Sequence, residues 1–141
     1  MHNYDPRPGY RNSIAPRKAY VHGAGGLLAC RTGRPCLAIG HYAQAGTTAE
    51  VQVFLNTIAF GMPIAEAVVQ PRIHAEYRRR TVFVDPDFPP DLAAGIETLG
   101  TQRVVVKPIS PAVSAVYRAP GQAGVERGID PRISRGTAVA P

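Results

Sequence analysis

The sequence predicts an α+β fold, with helices and strands in separate layers, and three observations support this prediction. Apolar runs and helical patterns follow the order hairpin, two helices, strand, helix and about three strands. The 14 prolines and 14 glycines among 141 residues indicate many turns and short elements in one domain. The stretch 46–63 has a helical pattern and is apolar on nearly every side, which is typical of a helix buried between layers.

The central helix within residues 46–63 carries start and stop signals. Thr47 and Glu50 have the spacing of a capping box, in which each side chain bonds a free amide at the helix start. Gly61 suits the left-handed residue that ends a helix, and Pro63 suits the first position of the next one. The polar strip of this otherwise apolar helix consists of residues four apart: Thr48, Gln52 and Asn56.

The segments before the helix predict an irregular region and a hairpin. Residues 1–25 contain prolines that favour extended or turning backbone. Residues 27–30 and 36–40 are apolar runs joined by a turn with Gly33, the pattern of a β-hairpin. Both runs are apolar at successive positions, so we expect both faces of the hairpin to be covered. The loop 41–46 either directs amides at an anion or is a simple connection, and its spacing leaves both interpretations open.

The segment directly after the central helix predicts a second, short helix at 63–69. We expect Ala65, Val68 and Val69 to face the core. The turn that follows carries His74, for which a structural role is more common than a catalytic one.

The last third of the chain predicts one amphipathic helix and several strands. The helix covers residues 90–99, with Gly100 as its stop, and its apolar stripe consists of Leu92, Ile96 and Leu99. The predicted strands are residues 81–85, 103–107, 112–117 and 125–129, with a brief pairing segment at 137–140.

Composition and charge exclude several functions. The net charge of +6 is scattered, apart from the solvated turn predicted at 78–80, so no nucleic-acid partner is expected. No stretch reaches the roughly 18 apolar residues of a membrane span. The first residues do not form a signal peptide, which predicts a cytoplasmic chain as it stands. A periplasmic or secreted location requires a true N-terminus further upstream.

The cysteines and histidines do not predict a cofactor. Cys30 and Cys36 either face each other across the hairpin or are small core residues, and we favour the second interpretation. His22, His41 and His74 lack the close spacing of metal ligands. No metal or other cofactor is therefore predicted, and catalysis by these histidines is the least favoured hypothesis.

A series of motifs spans nearly the whole chain. The most specific are Gln52-x-x-x-Asn56-x-x-x-Phe60-Gly61-Met62 and Pro71-Arg-Ile73. The others are Asp5-Pro-Arg-Pro-Gly9, Asn12-Ser-Ile-Ala-Pro16, Gly33-Arg-Pro35, Glu66-Ala67 and Gly128-Ile-Asp130-Pro-Arg132. In this order and spacing, the chain resembles the γ-glutamyltransferases (γ-glutamyltranspeptidases), over the C-terminal two-thirds of their small, catalytic subunit.

The resemblance implies a fold and a reaction. The family fold is the αββα sandwich of the N-terminal-nucleophile hydrolases, so this chain is expected to form a partial sandwich. The family's N-terminal Thr, released by self-cleavage, attacks a γ-glutamyl amide of the glutathione type, and the acyl group passes to water or an amino acid. Residues 1–141 then correspond to the C-terminal portion of the small subunit. They divide into an irregular 1–25, a hairpin and helices at 26–70, and strands with a helix at 81–141.

The resemblance also assigns site positions, and this chain departs from the usual family pattern at them, although His22 fits a branch of the family that carries His-Asn at the serine positions. The nucleophilic Thr lies upstream of the chain, so no catalytic residue is assigned here. Asn3 occupies the acidic position that receives the substrate's α-amino group, and His22 and Gly23 occupy the paired serines that hold its α-carboxylate. Ala43 and Gln44 occupy the two oxyanion-hole glycines, whose backbone dihedrals other residues reach less readily.

Two hypotheses follow from the resemblance. The first is a piece of a γ-glutamyltransferase-like enzyme, inactive alone. Its partner is the missing N-terminal part, namely the large subunit and the start of the small one, or another chain, and the assembled protein binds a small amide substrate. The alternative is a free-standing, non-catalytic binding or assembly domain, or a decayed remnant. The apolar central helix favours the first, because a free-standing domain would carry more polar residues there.

Overall fold

The computed structural model describes residues 5–19, 25–41, 45–76, 80–100 and 103–132. These segments contain three α-helices and seven strands, which confirms the α+β class. In chain order they are β1 (Gly26–Arg31), β2 (Arg34–His41), α1 (Gly46–Phe54) with a π-helical continuation (Leu55–Ala59), α2 (Ile64–Ala67), β3 (Ile73–Glu76), β4 (Thr81–Val84), α3 (Pro90–Thr98), β5 (Arg103–Val106), β6 (Val113–Tyr117) and β7 (Glu126–Ile129).

The strands form two sheets. The larger has the order β1-β2-β6-β7, and all its neighbouring strands are antiparallel. The smaller has the order β3-β4-β5, in which β3 and β4 are antiparallel while β4 and β5 are parallel. Helix α3 makes the crossover between the two parallel strands, as parallel pairing requires.

The core lies between one face of the larger sheet and helices α1 and α2. Its buried residues are Leu37, Ile39, Val113 and Ala115 from the sheet and Ala49, Val53, Ile64, Ala67 and Val68 from the helices. Helix α2 approaches β7 so closely that a Cβ added to Gly128 would lie 2.6 Å from the carbonyl oxygen of Ile64. The absence of a side chain at this position therefore sets the spacing between helix and sheet.

The hairpin is confirmed, but the prediction that both its faces are covered is wrong. Gly33 takes a φ of 77° in the turn between β1 and β2. On the face away from the helices, Leu28 is 64% exposed. Leu28 pairs with Ala38, which pairs with Val116, so these three residues share that open face. The run of apolar residues therefore reflects one packed face and one open face.

The predicted capping box is wrong. Helix α1 begins at Gly46 with Ala45 as its N-cap, and no side chain caps it. The carboxylate of Glu50 is instead placed against His41. Gly61 has the predicted left-handed conformation, with a φ of 69°. Pro63 is the N-cap of α2 rather than its first residue.

The central helix is not buried on every side, contrary to the prediction. Ala49 and Val53 are buried against the larger sheet, while Val51 and Leu55 are exposed. The described residues cover the side that faces the larger sheet and place strand β3 against Thr48 and Gln52, but they leave the side with Val51 and Leu55 open. The helix also changes to π geometry after Phe54, which periodicity did not predict.

Several predicted core positions in the other helices are also wrong. In and after α2, Ala65 and Val69 are exposed, and the buried side is formed by Ile64, Ala67 and Val68. Helix α3 buries none of its residues, so the stripe of Leu92, Ile96 and Leu99 is not core, and Leu99 is 88% exposed. The fold brings α3 against β5 but covers little of that stripe.

Three further predictions concern single residues or short segments. His74 lies in strand β3 and not on a turn, because residues 73–76 pair with β4. Cys30 and Cys36 are both free; Cys30 is exposed and Cys36 is half-buried, so only Cys36 packs against the core. The segments 78–79 and 137–140 lie outside the described residues. Among the helices that are described, none combines the length and apolar character needed to span a bilayer.

Candidate functional site

The predicted site positions are Asn3, His22, Gly23, Ala43 and Gln44, and all five lie outside the described residues. Their roles therefore remain predictions. The structure does describe residues that flank them in the sequence.

Residues next to two of the predicted site segments lie together at one end of the hairpin. Gly25 directly follows the segment with His22 and Gly23, and His41 directly precedes the segment with Ala43 and Gln44. Gly26 pairs with Gly40 across β1 and β2. A Cβ added to Gly25 would lie 3.3 Å from Cε1 of His41. The hairpin of β1 and β2 therefore places Gly25 beside His41, although the segments that these two residues flank are about 20 residues apart in the sequence.

A buried polar pair fixes this end of the hairpin to helix α1. Nδ1 of His41 lies 2.8 Å from Oε1 of Glu50, and the two side chains are 1% and 6% exposed. The His41 ring fills the space beside Gly46, where an added Cβ would be 1.8 Å from ring atom Cδ2. Glycine is therefore the residue that lets the ring reach Glu50. Sequence reasoning missed this pair, since His41 and Glu50 lie on different elements.

The polar strip of α1 binds strand β3. The Gln52 side chain donates to the carbonyl oxygens of Thr48 and Ile73, both at 2.8 Å, and accepts from the Ile73 amide at 2.9 Å. Oγ1 of Thr48 lies 2.8 Å from Nδ1 of His74, whose ring stacks on Phe83. This contact agrees with the structural role predicted for His74.

Arg72 is the centre of a buried charge network. Its side chain is 2% exposed, and its Nη2 lies 2.6 Å from Oδ2 of Asp130. The guanidinium also donates to the carbonyl oxygens of Pro111 and Val68, at 2.6 and 2.7 Å. Burial lowers the pKa of Arg72, and the charge of Asp130 opposes that shift. Each of these bonds joins Arg72 to a different segment of the chain.

Asp85 and Arg132 complete the network. Nη2 of Arg132 lies 2.8 Å from Oδ2 of Asp85, and its Nη1 lies 3.2 Å from Oδ1 of Asp130. Asp85 also accepts the backbone amides of Arg72 and Ile109, at 2.9 and 2.7 Å. The two cations and two carboxylates join α2, the start of β3, and the ends of β4 and β7. Because every carboxylate is engaged by structural partners, we assign this network to folding and not to chemistry.

The described residues contain no group of three or more His, Cys, Asp or Glu side chains that could hold a metal ion. These residues hold Gly25 beside His41, and the network of Arg72, Asp85, Asp130 and Arg132 joins the two sheets.

Comparisons with known proteins identify the fold and the family. The γ-glutamyltranspeptidase of Helicobacter pylori is similar, with a TM-score of 0.80 and 23% identity over 92% of this chain and 77% of that chain. The cephalosporin acylase of Bacillus halodurans has a TM-score of 0.76 and 25% identity over 93% of this chain and 25% of its own. The α+β fold is therefore that of the N-terminal-nucleophile hydrolases.

Sequence comparisons are more specific. The family model described as gamma-glutamyltranspeptidase matches residues 1–140, so the chain belongs to the γ-glutamyltranspeptidase family. The Acylase ACY 1 proenzyme of Pseudomonas sp. (strain SE83) is 35% identical over 77 residues, which are 54% of this chain. The matched region spans 14% of that proenzyme, so the relative is much longer than the matched part.

Proposed function

We propose that this chain forms the C-terminal scaffold of a γ-glutamyltransferase-like enzyme that cleaves or transfers the acyl group of a small amide. The observation that carries the proposal is the family match over residues 1–140. The closeness of Gly25 to His41, which directly flank two of the predicted site segments, supports it, because groups that bind one substrate must converge.

The isolated chain is proposed to be inactive. The resemblance places the nucleophilic Thr upstream, and without it no acyl-enzyme forms. Oxyanion amides alone then have no covalent intermediate to stabilise. The proposed partner is the polypeptide that supplies this Thr, as the start of the same small subunit with its large subunit, or as another chain.

The proposed substrate class follows from the residue at position 3. The family uses an acidic residue there to bind a charged α-amino group, and Asn3 carries no charge. Two similar proteins are named as acylases. We therefore propose that the assembled enzyme accepts an acyl group without an α-amino substituent, such as glutaryl, at least as well as γ-glutamyl.

The test is to express this chain with and without the polypeptide encoded directly upstream of Met1, and to assay γ-glutamyl and glutaryl anilides. The assembled protein should hydrolyse an anilide, and the chain alone should not. Turnover by the isolated chain contradicts the need for a partner. An assembled protein that cleaves only the γ-glutamyl anilide contradicts the proposed substrate class. Fractionation of cells that express the native gene tests the cytoplasmic location predicted for the chain as it stands.

A non-catalytic binding or assembly domain, or a remnant, is the second candidate function. The replacements at Asn3 and His22 favour it, because the carboxylate and the serine hydroxyl that the family uses on substrate are absent there. Ala43 keeps a backbone amide for the oxyanion, but it reaches the backbone dihedrals of a glycine less readily. An assembled protein that is folded and inactive on both anilides supports this candidate over the first.

A further inference from the structure

The ring of His41 lies beside two stretches of described backbone, at Gly25 and at Gly46. A Cβ added to Gly25 would lie 3.3 Å from ring atom Cε1, and one added to Gly46 would lie 1.8 Å from Cδ2. Gly25 closely follows the predicted site positions at 22–23, and Gly46 closely follows those at 43–44. A single imidazole therefore packs beside two glycines that come shortly after predicted site positions.

Glu50 holds this ring in place. Its Oε1 atom lies 2.8 Å from Nδ1 of His41, and the side chains of Glu50 and His41 are 6% and 1% exposed. Because a buried carboxylate is costly without a partner, the carboxylate and the ring stabilise each other's position. At this depth, neither side chain is free to touch a substrate. Their effect on a reaction must therefore pass through the backbone that they hold.

We infer that Glu50 is a positioning residue of the proposed enzyme. By fixing the ring of His41, it fixes the backbone at Gly25 and Gly46, beside the predicted site positions. This inference rests on the proposed function, and it adds a residue to which the resemblance assigned no role. Groups that stabilise a transition state act from preset positions, and a misplacement of about 1 Å can cost on the order of 100-fold in rate.

The main test measures kcat and KM for anilide hydrolysis by this chain assembled with the polypeptide encoded directly upstream of Met1. Glu50→Leu removes the polar partner of His41 and should lower kcat about 30-fold, with KM within about 2-fold of its original value. Glu50→Gln keeps the shape and an oxygen acceptor, and should lower kcat only about 5-fold. The loss falls on kcat because positioning acts on the transition state more than on substrate binding.

Val53→Ala is the control for a loss of stability alone. Val53 is buried on the same helix, and its truncation leaves a cavity in the core without removing the partner of His41. This variant should lower the urea midpoint and keep kcat. If Glu50→Leu and Val53→Ala lose kcat in proportion to their urea midpoints, Glu50 has a structural role only and the inference is overturned.

Gly46→Ala tests the same link from the side of the ring. The added methyl group would overlap the ring of His41, so the ring must move away from Glu50. The kcat value should then fall roughly 10-fold, although alanine favours a helix more than glycine does. Gly95→Ala in α3 is the matched control, because nothing lies within 4 Å of its added methyl group, and it should keep kcat.

Heteronuclear NMR of the chain gives a readout that needs no activity. Glu50→Gln should move the backbone amide signals of both Gly25 and Gly46, because the ring beside them loses its charged partner. Glu66→Gln makes the same chemical change at an exposed glutamate of α2 and should move neither signal.

The inference and the proposed function fail separately. Unmoved signals of Gly25 and Gly46 in Glu50→Gln overturn the inference. An active assembled protein whose kcat is unchanged by Glu50→Leu supports the proposed function and overturns the inference alone. An assembled protein of unchanged sequence that is inactive on both anilides contradicts the proposed function, and the positioning role with it.

Discussion

The two faces of the larger sheet differ in how they are completed. One face carries Leu37, Ile39 and Ala115, which are buried under α1 and α2. The other carries Leu28 and Val116, which are exposed although they are equally apolar. The apolar character of a residue therefore does not show whether it is buried. Only the structure shows which face of the sheet the helices of this chain cover. On the open face, the described residues supply no covering layer.

Adjacent residues of β6 give the largest expected contrast between the faces. Ala115→Asp places a carboxylate in the core and should cost on the order of 5 kcal/mol, enough to unfold a small domain. Val116→Asp, one residue away on the open face, should change the unfolding free energy of the isolated chain by only about 0.5 kcal/mol. Urea denaturation measures both. Equal losses of stability would show that the open face is packed.

The charge network should give the next largest effect, because it fastens the covered side of the molecule. Arg72→Met leaves Asp130 and the carbonyl of Pro111 without their buried donor, and should cost about 3 kcal/mol or more. The control is Arg7→Met, which removes a surface pair with Asp5 and should change the urea midpoint little. Similar urea midpoints for the two variants would contradict the structural role of the network.

The close approach of α2 to the sheet predicts a smaller effect. Gly128→Ala forces a methyl group against Ile64 and Val68, and should cost about 1–3 kcal/mol through overpacking. Gly124→Ala, in a turn with no atom near the added methyl, should be close to neutral. Thermal unfolding compares the two. A neutral Gly128→Ala would mean that α2 does not lie against β7 as described.

The exposed Asp5–Arg7 pair should affect titration and hardly affect stability. The hydrogen bond from Arg7 lowers the pKa of Asp5 from 3.8 to about 2. A lowered carboxyl pKa adds stability above pH 3.8, and this is lost as the pH falls towards 2, but screening by solvent at the surface makes that contribution small. NMR titration should show the Asp5 pKa returning towards 3.8 in Arg7→Gln. An unchanged pKa would contradict the pairing.

Local patterns in the sequence predicted most of the helices and strands, but not which of their faces are buried. Gly33 and Gly61 marked the turn and the helix end correctly, since both need a left-handed backbone. Strand β3 was missed because four residues after Pro71 give too short a pattern, and pairing with β4 decides their structure. The stripe on α3, with Leu92 and Leu99, predicted burial that no described layer provides.

Contacts around the candidate site join residues that are distant in the sequence, and the sequence pattern does not predict them. The resemblance pointed to Pro71-Arg-Ile73 and to Asp130-Pro-Arg132, yet no spacing shows that Arg72 and Asp130, 58 residues apart, form an ion pair. The capping box failed because Glu50 lies against His41, a contact made by tertiary structure and by the open space at Gly46. The roles of Asn3 and of the other predicted site positions remain predictions.

Thiol labelling of neighbouring positions on β6 tests the central claim most directly. In a Cys30→Ser, Cys36→Ser background, Val116→Cys should react freely with a thiol reagent. Ala115→Cys should react slowly, because it lies in the core. Equal reactivity of the two cysteines would contradict a sheet with one covered face and one open face.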